Sequence, residues 1–187
     1  SISYYPLYYE VELIHTFSLI HDDMPAIDND AVRRGRPTCH MVFGEASALL
    51  AGDLMIAFAF QILGGSELKP AIVREMVQEL GDSFVQLCNG QHLDLRPQKN
   101  FNDVVSVNRL KTGALFSCAC KFAALGAGMT PAVIDMCAEL GESLGLSFQI
   151  IDDYLDMFGN SADTGRPESS DQRNLRVTFA TLHTKQE

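Results

Sequence analysis

The chain has 187 residues, 47% of them hydrophobic, with a formal net charge of −10. That length and apolar content suffice for one buried core and exclude a disordered segment, and the acidic balance excludes a basic nucleic-acid or anionic-membrane surface, so any phosphate must be held by local cations. Five cysteines without a CxxC pair read as small core residues of a reducing, cytoplasmic compartment, and neither an opening signal peptide nor an apolar run of about 20 residues is expected.

The apolar periodicity is helical nearly throughout, and no strand is predicted. Val11 to Asp23 reads as a first helix, ended by Pro25 just as carboxylates appear. A second is predicted from about His40 to Leu63, stopped by Gly64-Gly65. A third covers Pro70 to Leu87 with Ile72, Val73, Met76, Val77, Leu80 and Phe84 inward. Asp103 to Leu125 continues the helical pattern. Thr130-Pro131 supplies an N-cap and a preset first φ for the longest helix. That helix is predicted to reach Phe158, to bury Val133, Met136, Leu140, Leu144, Ile151 and Leu155, and to close at Gly159. From Asn160 the chain turns polar and reads as a loop or lid over a site.

Two acidic clusters end apolar stretches: His21-Asp22-Asp23-Met24-Pro25-Ala26-Ile27-Asp28 and Asp152-Asp153-Tyr154-Leu155-Asp156. Carboxylates beside a hydrophobic core cost several kcal/mol unless cations neutralise them, and hard oxygen ligands suit Mg²⁺. Asp152 and Asp156 stand four residues apart, on one helical face, as do Gln149 and Asp153. Most helix acids are simply solvated, but Phe148, Ile150, Ile151 and Leu155 surround this cluster. Asp28 lies six residues beyond Asp22, where an ideal helix would point them apart; the break at Pro25 is expected to let it fold back.

Downstream, Arg33-Arg34-Gly35-Arg36 places three arginines beside the first cluster. They suit a polyanion bridged by metals and clamped by guanidinium forks; the alternative is an ordinary charged loop. Lys111-Thr112-Gly113 adds a cation and a hydroxyl, and Gly90-Gln91-His92-Leu93-Asp94-Leu95 an amide and a carboxylate, each a weak signal alone.

These residues resemble the trans-isoprenyl diphosphate synthases (polyprenyl synthetases), most closely the bacterial-type farnesyl and geranylgeranyl enzymes. The resemblance rests on the first aspartate-rich motif, Arg33 to Thr38, Gly44-Glu45, Leu50-Ala51-Gly52-Asp53, Gln91, Lys111-Thr112-Gly113 and Gly145 to Asp156, in the family's order. It implies a single isoprenoid synthase domain over residues 1–187, incomplete at its ends or gapped. The implied fold is all-α, an antiparallel helix bundle around a central cavity with the two acidic motifs at its mouth.

By the same carry-over, Asp22, Asp23, Asp28, Asp152, Asp153 and Asp156 would hold three Mg²⁺ ions on an allylic diphosphate, with Asp22, Asp28 and Asp152 as the foremost ligands. Arg33, Lys111, Thr112, Gln149 and Arg166 would contact that diphosphate, His15 and Arg34 would bind isopentenyl diphosphate, and Gln91 and Arg176 match further family positions. Phe17, with Ser18 beside it, would limit chain length: five residues before Asp22, it lies roughly 7.5 Å down the helix. An aromatic there implies a C15 product over a longer one, although a ring packed between helices is almost equally expected. The resemblance also implies a cytoplasmic homodimer without stable membrane insertion. The alternatives are a geranylgeranyl or longer-chain synthase and a non-catalytic subunit of a heteromeric synthase. A terpene cyclase would be expected to carry an Asn/Ser/Glu second motif, and a metal phosphohydrolase would need histidine ligands that His15, His40, His92 and His183 do not supply in pattern.

Overall fold

The structure, a computed structural model, describes residues 9–96, 98, 100–158, 178 and 179. The predicted close at Gly159, the polar segment through 177, and with them Arg166 and Arg176, lie outside the described residues.

Helix α1 (Tyr9–Asp22) ends where Pro25 removes a donor. A short hairpin follows, β1 (Val32–Arg33) and β2 (Arg36–Pro37), pairing Val32 with Pro37 and Arg33 with Arg36. Its two central residues, Arg34 and Gly35, have φ of 51° and 72°, the left-handed pair that a two-residue hairpin turn requires. No strand is predicted from sequence because a ladder this short offers no alternation to detect.

The single helix expected over 40–63 is two, α2 (Cys39–Phe43) and α3 (Glu45–Gly64), separated at Gly44, whose φ of 85° breaks the helical run. Helix α4 (Pro70–Asp94) runs past its expected end at Leu87, carrying Gln91 and Asp94 with it. Helix α5 (Phe101–Asn108) is capped by Asn100, whose side chain accepts from the Asp103 amide at 3.1 Å. A π-helical turn (Arg109–Gly113) then leads into α6 (Ala114–Gly126), and α7 (Pro131–Phe158) is the longest helix described.

The core lies among α1, α3, α4 and α6, built on Ile14, Phe17, Ala59, Leu63, Met76, Leu80, Leu87, Leu115, Cys118 and Phe122. Of the inward set expected on α4, Met76 and Leu80 are fully buried, Ile72, Val73 and Phe84 are half-buried, and Val77 is exposed.

The stripe expected to be buried on α7 is not: Val133, Met136, Leu140, Leu144, Ile151 and Leu155 are all exposed. Its buried positions are Gly141, Gly145 and Asp153. A Cβ on Gly145 would stand 2.7 Å from the Gly113 Cα, and one on Gly141 2.7 Å from the Ser117 Cα. Backbone-to-backbone approach through small residues, rather than a large apolar face, therefore seats α7 on α6 and brings its acidic end to the site.

Helix α3 also departs from expectation. By length and composition alone it is apolar enough to cross a membrane, which the absence of a 20-residue apolar run had argued against. It buries Ala48, Gly52, Ala59 and Leu63 against the core while Leu50, Leu54 and Phe58 face outward.

Candidate functional site

Each motif reaches the site through a local device. Beyond α1 the chain doubles back, with the Asp28 amide donating to the Asp22 carbonyl at 2.9 Å and the Asp30 amide to the Asp23 carbonyl at 3.1 Å. Asp22 and Asp28, which a straight helix would have separated, are thereby brought close. The hairpin that follows turns Arg33 back onto α1: its Nε donates to both oxygens of Asp23 at 2.9 Å, and its terminal nitrogen lies 2.7 Å from Oδ1. A bidentate fork of this kind is strong and directional.

On the opposite side, the π turn sets Lys111 and Thr112 against α4 and α7. Gly90 is required here, since a Cβ on it would collide with the Lys111 backbone. Lys111 Nζ pairs with Asp94 Oδ2 at 2.8 Å. The Thr112 hydroxyl donates to Gln149 Oε1 at 3.0 Å, Gln149 Nε2 donates to Asp153 Oδ1 at 2.8 Å, and the Phe179 amide donates to Asp153 Oδ2 at 2.9 Å. This chain of polar contacts fixes which atoms of Thr112 and Gln149 remain available. A π turn interrupting a helix is frequent at functional sites because it re-aims side chains.

All these elements face one cavity of about 500 Å³. Glu12, Asp22, Asp28, Asp30, Asp94, Asp152 and Asp153 supply its carboxylates and Arg33, Arg34 and Lys111 its cations. His15, Gln91, Thr112 and Gln149 also line it, with Leu87, Leu115, Phe116, Ala119 and Phe148 as apolar wall and Ser18 on α1. Gln91 holds both amide atoms buried with no hydrogen-bond partner, a cost of a few kcal/mol that a polar ligand would remove.

Three of the expected residues do not line the cavity. Asp23 is 3% exposed and occupied by Arg33; burial raises its carboxyl pKa, against the pull of that guanidinium. Asp156 lies a turn beyond the acids that do line it. Phe17 is 6% exposed, with its ring edge-on to His21 at 4.9 Å and to Phe84 at 5.4 Å. His21 in turn meets the Leu49 carbonyl at 3.0 Å, so the ring stands in a packed stack tied to α3.

Burial also raises the pKa of Asp153, against its two hydrogen bonds. His15 is lowered by burial and, less strongly, by Arg34 and Arg33 with Glu12 opposing, which favours a neutral ring. Among the described residues no three Asp, Glu, His or Cys side chains already converge as a metal cage. The divided, all-oxygen acid set of Asp22, Asp28 and Asp152 suits Mg²⁺, which is held by one or two carboxylates together with waters and phosphate oxygens. The sequence pattern did not single out Asn108, Gln98 or Glu12, which also line the cavity. Their only signal is position, one helical turn or less from residues that it did.

The sequence profile of the polyprenyl synthetase family matches residues 4–187. The chain is 40% identical over 181 residues to the farnesyl diphosphate synthase of Escherichia coli (strain K12), covering 92% of this chain and 60% of that protein. It is 36% identical over 185 residues to the geranylfarnesyl diphosphate synthase of Aeropyrum pernix, covering 95% and 58%. It superimposes with a TM-score of 0.88, at 27% identity, on the structure of a Helicobacter pylori geranyltransferase complexed with magnesium and isoprenyl diphosphate, covering 98% of this chain and 63% of that one. The chain thus spans about three-fifths of the length of the curated relatives it matches.

Proposed function

This chain belongs to the polyprenyl synthetase family, and we propose that the protein condenses isopentenyl diphosphate with an allylic diphosphate, dimethylallyl or geranyl, to give a longer allylic diphosphate. The observation that carries this reading is a single cavity that joins two acidic helix ends, three cations and a buried, unpartnered Gln91 amide to an apolar wall. A diphosphate with a hydrocarbon tail matches both halves; a simple phosphate ester would leave the apolar half without a role.

In the proposed reaction the allylic C–O bond breaks heterolytically, the pair of electrons leaving with diphosphate. The isopentenyl double bond attacks the allylic carbon, and loss of a proton to the released diphosphate restores an alkene. Bound Mg²⁺, about three ions by the family pattern, would supply Lewis-acid stabilisation of the leaving group. Asp22, Asp28 and Asp152, which line the cavity together with Asp153, would hold it. Asp23 acts through Arg33, whose guanidinium it orients towards the diphosphate. Lys111, fixed by Asp94, and Thr112, fixed through Gln149, meet the charge that develops on the same group. His15 and Arg34 serve the isopentenyl diphosphate, and the apolar wall excludes water from the cation.

We further propose a C15 product, supported by the 40% identity to the Escherichia coli farnesyl diphosphate synthase; Phe17 itself is packed in the core beside Phe84. A homodimer is supported by the outward apolar residues Phe43, Leu50, Leu54 and Phe58, with α4 as a second candidate face. A cytoplasmic location accords with the free cysteines. The test is incubation of the full-length protein with isopentenyl diphosphate, each allylic primer and Mg²⁺, followed by product-length analysis. Farnesyl diphosphate is expected; no condensation with any primer would favour the non-catalytic subunit.

A further inference from the structure

Helix α6 supplies Leu115, Phe116 and Ala119 to the cavity wall, and Ala119 is the small one. Thr112, Leu115, Phe116 and Ala119 all line the cavity. Thr112 and Ala119 are seven residues apart, two helical turns, so they share a face with Ala119 about 10.5 Å farther down. Thr112 stands at the polar end, joined through Gln149 to Asp153. A hydrocarbon tail anchored there must run past Leu115 and Phe116 before it reaches Ala119.

On α1 the cavity is lined by Val11, Glu12, His15, Ser18, Leu19 and Asp22, whereas Phe17 is turned into the core and held by His21 and Phe84. Ser18 is tied to its own helix, its hydroxyl donating to the His15 carbonyl at 2.9 Å, so it offers the tail a small, satisfied surface. Ser18 and Ala119 are the smallest side chains in that lining, and of the two only Ser18 lies beside Phe17.

We propose that Ala119 sets product length from the α6 side: its methyl leaves open the space into which the later isoprene units extend, and a larger side chain there ends elongation early. This rests on the prenyl-transfer reading. No bond is made or broken at Ala119, and it touches only the tail.

The experiment compares Ala119→Val, Ala119→Leu and Ala119→Phe with the full-length wild type. Each is given isopentenyl diphosphate, dimethylallyl or geranyl diphosphate and Mg²⁺, and the ratio of C10 to C15 and longer products is measured. That ratio should rise with side-chain size, about tenfold or more for the Phe variant. In parallel, calorimetry measures binding of inorganic diphosphate and of a non-ionising farnesyl thiodiphosphate. Farnesyl binding should weaken about tenfold or more while inorganic diphosphate binding holds, a split that general loss of structure would not give. Folded variants, by circular dichroism, with unchanged product ratios and unchanged farnesyl binding would overturn the proposal and leave the prenyl-transfer reading standing. A wild type that forms no product with any primer and binds no farnesyl analogue would overturn both. The Val variant, one size step from Ala, keeps the test decisive if the Phe variant does not fold.

Discussion

Glu10 is the residue whose environment conflicts most with its chemistry. It is completely buried, and neither carboxyl oxygen meets a hydrogen-bond partner beyond the weak pull of its own backbone amide. Among the described residues it interacts with Cys118, whose thiol burial pushes up to about 12 and on which Glu79 and Lys121 also act. Burial raises the Glu10 pKa above its ordinary 4.5. A group raised in the folded state contributes stability that is complete below the unfolded value and is lost as pH rises through the folded one. Urea unfolding of Glu10→Gln should therefore lose less stability than wild type across a pH series upward from 4.5; parallel curves would contradict it. Asp23 and Asp153 are raised in the same direction, so only the difference between variant and wild type reports on Glu10.

Phe17 is the second residue whose role can be separated from its packing. Truncation to Ala removes a ring held by His21 and Phe84 and should cost about 3–5 kcal/mol by cavity formation. If the ring also backs the end of the cavity, the same variant should lengthen the product. A destabilised Phe17→Ala enzyme that still makes only C15 would assign the ring to packing alone.

At the level of elements, glycines decide where the functional side chains stand. Gly90 lets α4 touch the π turn that presents Lys111, and Gly113 and Gly145 let α7 approach that turn closely. Gly90→Ala should cost about 1–3 kcal/mol through overpacking and displace Lys111 from Asp94. A lowered melting temperature with a raised Michaelis constant for the allylic primer would show both effects. Unchanged melting and kinetics would refute the close approach.

These contacts also explain which elements were legible in the sequence. The ends of α1 and α7 were readable because Pro25 and Thr130-Pro131 act locally. The α7 stripe was misread because apolar periodicity identifies an apolar face without saying that a neighbour covers it, and the packed face is made of glycines. The break at Gly44 and the primed turn at Arg34-Gly35 are single-residue backbone events that periodicity does not register. In the site, the return of Asp28 to Asp22 was foreseeable from Pro25. The capture of Asp23 by Arg33 was not, because it depends on a hairpin too short to read from alternation.

Across the described residues, α2 and α3 leave apolar side chains exposed, including Phe43, Leu50, Leu54 and Phe58, as α7 also does. Large exposed apolar surface marks association more often than solvation, which supports a dimer through the face of α2 and α3. The full-length protein should run as a dimer by light scattering, and Leu54→Glu with Phe58→Glu should shift it to monomer; a monomeric wild type would remove the dimer proposal. The acids and cations, in contrast, converge on one cavity from α1, the hairpin, α4, the π turn and α7. If they act together on a metal-bridged diphosphate, calorimetric titration of inorganic diphosphate into the full-length protein should show binding that requires Mg²⁺ and weakens about tenfold or more in both Asp22→Ala and Asp152→Ala while the helical circular dichroism is retained. Equal affinity without Mg²⁺, or full affinity in either variant, would contradict it.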